Sequence, residues 1–263
     1  MTTVQTTTST GYDDLGHGDP ALLMLPGWCG DRSVFGPLAG LAAAQDRVVV
    51  ADLRGHGGLA HQDDDFDTAR QVDDLIALVE HRGLDRVVPV ALSHAGWLAV
   101  ELRRRLSAQR VPGIVLVDWM VLGTPPGFTD ALAGLQDPQA WQDVRAGLFG
   151  MWTDGVAAGA VHEYVASMGS YGFAHWSRAG REIAAGFARD TSPLDALARL
   201  EEPCPTLHLY AQPADDGYLA AQEDAAARLD WFSVVRLDAA SHFPMLEVPD
   251  AMAGHLREFV ARL

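Results

Sequence analysis

The chain has 263 residues, of which 48% are hydrophobic and 21% charged, a balance that excludes wholesale disorder and supports a sizeable core without disulfide or metal staples. With 19 basic and 35 acidic residues the net charge is −16, a field that repels a phosphate backbone and argues against nucleic-acid partners; solubility is the plain reading of the excess. Only Cys29 and Cys204 carry thiols, the start Met1 to Thr10 is polar rather than basic-then-apolar, and no apolar run approaches the ~18 residues that span a bilayer; together these point to a soluble protein of the cytoplasm.

Apolar runs alternate with helical spacing along the chain. Strands are predicted at Ala21 to Leu25, Arg47 to Asp52, Val87 to Leu92, Gly113 to Val117, Thr206 to Tyr210 and Ser233 to Leu237. Helices are predicted at Thr68 to Arg82, where Val72, Leu75, Ile76 and Val79 share a face, at His94 to Leu106 and at Ala251 to Arg262. Continuous apolar strands between helices imply a mainly parallel sheet covered on both faces. Residues 120–190 break the rhythm. They hold helical segments only, and nine of the chain's aromatics: Phe128, Trp141, Phe149, Trp152, Tyr164, Tyr171, Phe173, Trp176 and Phe187. An inserted cap walling an aromatic pocket is expected there, although some of these rings must form the cap's own small core. The expected organisation is therefore a core of 1–119 and 191–263 with a helical cap of 120–190.

The strongest local signal is Val90-Ala91-Leu92-Ser93-His94-Ala95-Gly96-Trp97, a strand that turns sharply at Ser93 into a helix. The α/β-hydrolase fold places its nucleophile at such an elbow, in the pattern Gly-x-Ser-x-Gly. Here Ala91 and Ala95 replace both glycines and are still small enough for the tight turn; a serine that merely caps the following helix is the plainer alternative. The partners follow in the chain order of that fold, Ser, Asp, His: Asp118 ends the strand Gly113 to Val117, and His242 follows the last strand in Ser241-His242-Phe243-Pro244. An imidazole oriented by a buried carboxylate is a general base. Asp215 and Asp216, after the next strand, compete with Asp118 for the role of acid; Asp118 is preferred because it stands at a strand end beside the elbow.

The turn Pro26-Gly27-Trp28-Cys29-Gly30 follows the first predicted strand, where this fold supplies one backbone N–H to an oxyanion hole and the residue after the nucleophile supplies another. The donors are then Trp28 and His94. Cys29 reads as a small buried thiol and Arg54-Gly55-His56-Gly57 as a structural turn. No dinucleotide loop, Walker loop or metal-ligand spacing is present, so no cofactor is expected.

Five segments together, Leu25-Pro26-Gly27-Trp28-Cys29, Ser93 to Trp97, Val117-Asp118-Trp119, Met151-Trp152-Thr153-Asp154-Gly155 and Ser241 to Pro244, resemble the cofactor-free 2,4-dioxygenases of 3-hydroxy-4-quinolones. The likeness runs from about residue 20 to the C-terminus. It implies that His242, polarised by Asp118, removes the 3-hydroxyl proton. The resulting anion reduces dioxygen directly, and the ring opens to an N-acylanthranilate and carbon monoxide. It also implies that Ser93 hydrogen-bonds the substrate and that Trp152, Trp119 and Trp176 line the pocket. Two positions depart from the pattern, with Leu92 and Gly30 where relatives carry histidines. Those losses imply a more apolar pocket wall and, with a Met- and Ala-rich cap, a 2-alkyl substituent such as the heptyl chain of the Pseudomonas quinolone signal. A serine hydrolase using the same three residues is the alternative activity, and a non-catalytic ligand-binding relative is a third reading.

Overall fold

The computed structural model describes residues 11–62 and 64–263; the polar start Met1 to Thr10 lies outside them. Among the described residues one seven-stranded sheet is formed by β1 (Tyr12–Leu15), β2 (Ala21–Leu25), β3 (Val48–Ala51), β4 (Val87–Leu92), β5 (Ile114–Val117), β6 (Thr206–Tyr210) and β7 (Phe232–Arg236), in the spatial order β1-β3-β2-β4-β5-β6-β7. Strand β1 pairs antiparallel with β3, and every other pairing is parallel. Strands β2 to β6 are buried at every position, as expected for strands covered on both faces.

Helices α1 (Gly36–Ala42), α2 (Thr68–His81), α3 (Ala95–Leu106), α8 (Pro193–Ala198), α9 (Asp216–Arg228) and α10 (Pro249–Val260) accompany the sheet. Asp67 starts α2 by accepting the Arg70 N–H, and the α2 face predicted from spacing is the one that packs inward. Between β5 and α8 lie α4 (Phe128–Leu135), α5 (Trp141–Thr153), α6 (Gly159–Met168) and α7 (Phe173–Asp190), with no strand among them. Helix α7 packs closely over α3 because Gly186 faces the Trp97 ring, where any side chain would collide.

Strand β1 was not expected from the sequence. Its Asp13 and Asp14 look like loop residues, but at the edge of the sheet they pair with Arg32, Arg47 and Arg82. Charge on an edge strand also discourages pairing with other chains.

The sheet positions the site. Strand order reverses between β2 and β4, since the chain leaves β2 for β3 on one side and returns to β4 on the other. Ligand crevices form at the carboxyl ends of strands at such a reversal. Register brings the strand ends level: Leu25 lies opposite Ala91, Leu92 opposite Val117, and Val117 opposite Leu209. The turns carrying Trp28, Ser93 and Asp118 are therefore neighbours.

Candidate active site

Each of the three turns contains one non-glycine residue in the left-handed region: Cys29 at φ 57°, Ser93 at φ 54° and Asp118 at φ 46°. Such conformations cost on the order of 1–3 kcal/mol each and persist only where the surroundings fix them. At Ser93 the turn throws the side chain out between β4 and α3, flanked by the fully buried Ala91 and Ala95. Burial pushes the Cys29 thiol well above its ordinary pKa, so it stays protonated and inert.

Asp118 is 3% exposed and its carboxylate is fully engaged. Oδ1 takes the Nδ1–H of His242 at 2.8 Å, while Oδ2 accepts the backbone N–H groups of Ala211 at 2.7 Å and Gln212 at 3.1 Å. With Nδ1 donating to the carboxylate, Nε2 of His242 is the basic nitrogen. The competing acids are placed elsewhere: Asp215 caps α9 through the Tyr218 N–H and Asp216 pairs with Arg236. The backbone of Ser93 is tied to Val117 and Gly96, but its hydroxyl makes no hydrogen bond to His242 or to another described residue, so the dyad is assembled without it.

Residues without motif signals hold the dyad in place. Glu247 accepts the N–H and hydroxyl of Ser241 and the N–H of Ala240, bracing the loop before His242. The Gln212 side-chain amide donates to the carbonyls of Ala240 at 2.7 Å and Met151 at 3.0 Å, tying that loop to the end of α5. His208 accepts the Trp119 N–H on Nε2 and bonds Gln222 through Nδ1, steadying the turn that carries Asp118; burial lowers its pKa to about 4, so it is neutral. These residues carried no motif signal: Gln212 and His208 act on backbone groups 28 to 89 positions away, and Glu247 looks like an ordinary loop acid.

On the opposite side the Trp28 and His94 backbone N–H groups have no partner among the described residues. Two free amides at adjacent strand ends are the arrangement that stabilises a developing oxyanion. The Trp28 indole is fixed by its Nε1–H to the His175 carbonyl at 2.9 Å and by contact with Phe66, His56 and His94. The His94 and His56 rings are fully buried, and desolvation lowers both pKa values to about 3, so neither is charged at neutral pH.

The aromatics of residues 120–190 fall into three groups. Trp141 packs on Phe173, and Tyr171 on His56 and His175. Phe187 packs on Trp97 and Trp119 behind the elbow, with Phe128 against Phe187. Phe149, Trp152, Trp176 and Tyr164 lie toward the base. Trp152 stacks on the His242 imidazole itself, with centroids 5.1 Å apart and planes 13° apart, and Trp176 reaches it only through Phe149. Leu92 is fully buried beneath Gly27 at the end of β4.

Gly30, expected to make the wall more apolar, has the Tyr164 hydroxyl from α6 beside it, and a Cβ there would overlap that oxygen.

The Alpha/beta hydrolase family matches residues 22–255. A 2-heptyl-3-hydroxy-4(1H)-quinolone dioxygenase of Mycobacteroides abscessus is 38% identical over 95% of this chain and 94% of its own length. The 1H-3-hydroxy-4-oxoquinoline 2,4-dioxygenase of Pseudomonas putida is 34% identical over 92% and 91%. The chain belongs to the 3-hydroxy-4-quinolone dioxygenases. The solved structure of AqdC in complex with its product, described as the basis for recognition and ring cleavage of the Pseudomonas quinolone signal, superimposes with a TM-score of 0.93 at 35% identity over 99% of this chain and all of that one. In this dioxygenase no three metal-ligating side chains converge among the described residues, and no helix among them is long and apolar enough to cross a membrane.

Proposed function

We infer that the protein cleaves a 2-alkyl-3-hydroxy-4(1H)-quinolone with dioxygen, giving an N-acylanthranilate and carbon monoxide. The observation that carries this reading is the assembled Asp118–His242 pair in a quinolone dioxygenase chain, with Ser93 outside the pair. The substituent follows the relatives named for 2-heptyl substrates, and cleavage of such a molecule would remove a bacterial signal.

The chemistry needs a base and a dry pocket. His242 Nε2 takes the 3-hydroxyl proton, and Asp118 stabilises the imidazolium that results. The quinolone anion, rich in electrons at carbon 2, reduces dioxygen and binds it there as a peroxide. The distal oxygen attacks carbon 4 while the Trp28 and His94 amides hold the carbonyl oxygen as its charge grows. Carbon 3 leaves as carbon monoxide. One oxygen atom ends in the amide carbonyl and the other in the carboxylate, so both atoms of dioxygen are retained in the N-acylanthranilate. Ser93 hydrogen-bonds the substrate. Residues 120–190 act as the cap that excludes water from the anion, with the Trp152 ring stacked on the imidazole.

The test is incubation of the purified protein with 2-heptyl-3-hydroxy-4(1H)-quinolone with and without dioxygen, with carbon monoxide and the acylanthranilate measured. Stoichiometric carbon monoxide that depends on dioxygen is expected. Turnover under anaerobic conditions, or loss of all activity in Ser93→Ala, would instead favour a serine hydrolase, whose nucleophile is worth about three or more orders of magnitude.

A further inference from the structure

Tyr164 is a single cap side chain that touches both halves of the site. Its hydroxyl accepts the Asp31 N–H at 3.1 Å and donates to the Asp31 carbonyl at 3.3 Å, across 133 positions of sequence. Its ring packs edge-on against Phe243 at 5.1 Å, and Phe243 in turn contacts both His242 and Trp152. Burial raises its pKa well above the ordinary phenol value, so the hydroxyl stays protonated and can donate and accept together. The same oxygen occupies the place of a side chain on Gly30, with the ring carbon behind it 3.2 Å from where a Cβ would lie. The turn it closes contains Cys29, whose left-handed backbone has to be held by its surroundings.

We propose that Tyr164 is a positioning residue for ring cleavage: its hydroxyl substitutes for a side chain at position 30, closes both backbone groups of Asp31 and fixes the turn that aims the Trp28 amide. The proposal rests on the reaction assigned above, because only there does the Trp28 amide meet a developing charge. Positions 30 and 164 are then one steric unit. Glycine at 30 requires the hydroxyl at 164 to complete the turn, and the hydroxyl at 164 forbids anything larger at 30.

The test uses Tyr164→Phe, Gly30→Ala and the double variant, each assayed for quinolone turnover and thermal unfolding. Tyr164→Phe loses the two hydrogen bonds and keeps the ring. It is expected to lower kcat about fivefold to tenfold, the scale of one or two net hydrogen bonds, with KM for the quinolone within about twofold, because a misaimed amide is felt mainly in the transition state. Gly30→Ala is expected to lower Tm and kcat further, and the double variant to unfold at a higher temperature than Gly30→Ala alone, since the overlapping oxygen has gone. A kcat for Tyr164→Phe within twofold of wild type overturns the positioning role. An equal loss of Tm from Gly30→Ala in both backgrounds overturns the steric pairing. Absence of wild-type turnover overturns the assigned reaction and the positioning role with it, while the thermal cycle still decides the pairing.

Discussion

The sheet side and the cap side of the site are built by opposite means. On the sheet side, strands buried at every position end in three turns, each with one residue held at positive φ, and the Asp118 carboxylate is saturated by three N–H donors. On the cap side, α5 delivers Trp152 to the base yet has no buried residue along its whole length, and Met151 beside it is 55% exposed. Helices with few buried contacts open at low free energy, whereas elements in the core open only with global unfolding. The proposed reaction then has a division of labour, with proton transfer and charge stabilisation at tightly bonded strand ends and the substrate's flat ring met by a less buried helix.

Breaking the sheet side should cost most. His242→Ala is expected to lower kcat by about three orders of magnitude or more, the upper range for a general base, while anaerobic binding of the quinolone is retained; steady-state kinetics and a binding titration check both. A residual kcat within tenfold would mean that the base lies elsewhere.

Acid should also reach the sheet side first. His56 and His94, with pKa values lowered to about 3, and His208, lowered to about 4, stay neutral in the fold, but in the unfolded chain they take up protons below about pH 6.5. The unfolded state then binds more protons, so stability falls as pH drops from 6.5 toward 4, and these groups contribute no slope above 6.5. The slope is on the order of 1 kcal/mol per pH unit for each histidine, readable as a falling urea midpoint and shallower in His56→Phe.

The cap side should respond more mildly. Trp152→Ala is expected to lower kcat/KM roughly tenfold to fiftyfold through loss of the stacked ring and of water exclusion, with Trp152→Phe in between. If it matched His242→Ala, the division of labour would fail. Gln212→Ala cuts the tie between Met151 and Ala240 and should speed amide exchange across α5 while changing kcat/KM only about twofold to fivefold. Ser93→Ala is expected to cost no more than about tenfold, the scale of a lost hydrogen bond to substrate as proposed for Ser93, and far less than the loss of a covalent nucleophile.

The sequence was informative where one residue type has one physical job. The parallel strands β2 and β4 match their predicted limits because strands covered on both faces are written as near-continuous apolar runs. The meeting of Asp118 and His242 was legible because both follow strand ends in a fixed chain order. What escaped were residues that work by touching distant backbone: Gln212 on Met151, His208 on Trp119, and Tyr164 on Asp31. The surroundings of Gly30 escaped too, because the side chain that fills the space beside it is encoded 134 positions later.

The two loop amides on Asp118 Oδ2 have one more consequence. Any side chain at 118 must offer an acceptor to Ala211 and Gln212. In Asp118→Asn that requirement turns the amide oxygen toward the loop and the NH2 group toward His242. Facing a donor, Nδ1 must become the acceptor, and the ring's single proton moves to Nε2, where the substrate proton would have to go. A substitution that preserves shape thus reverses the imidazole's tautomer, and it is the neighbouring backbone that dictates the reversal.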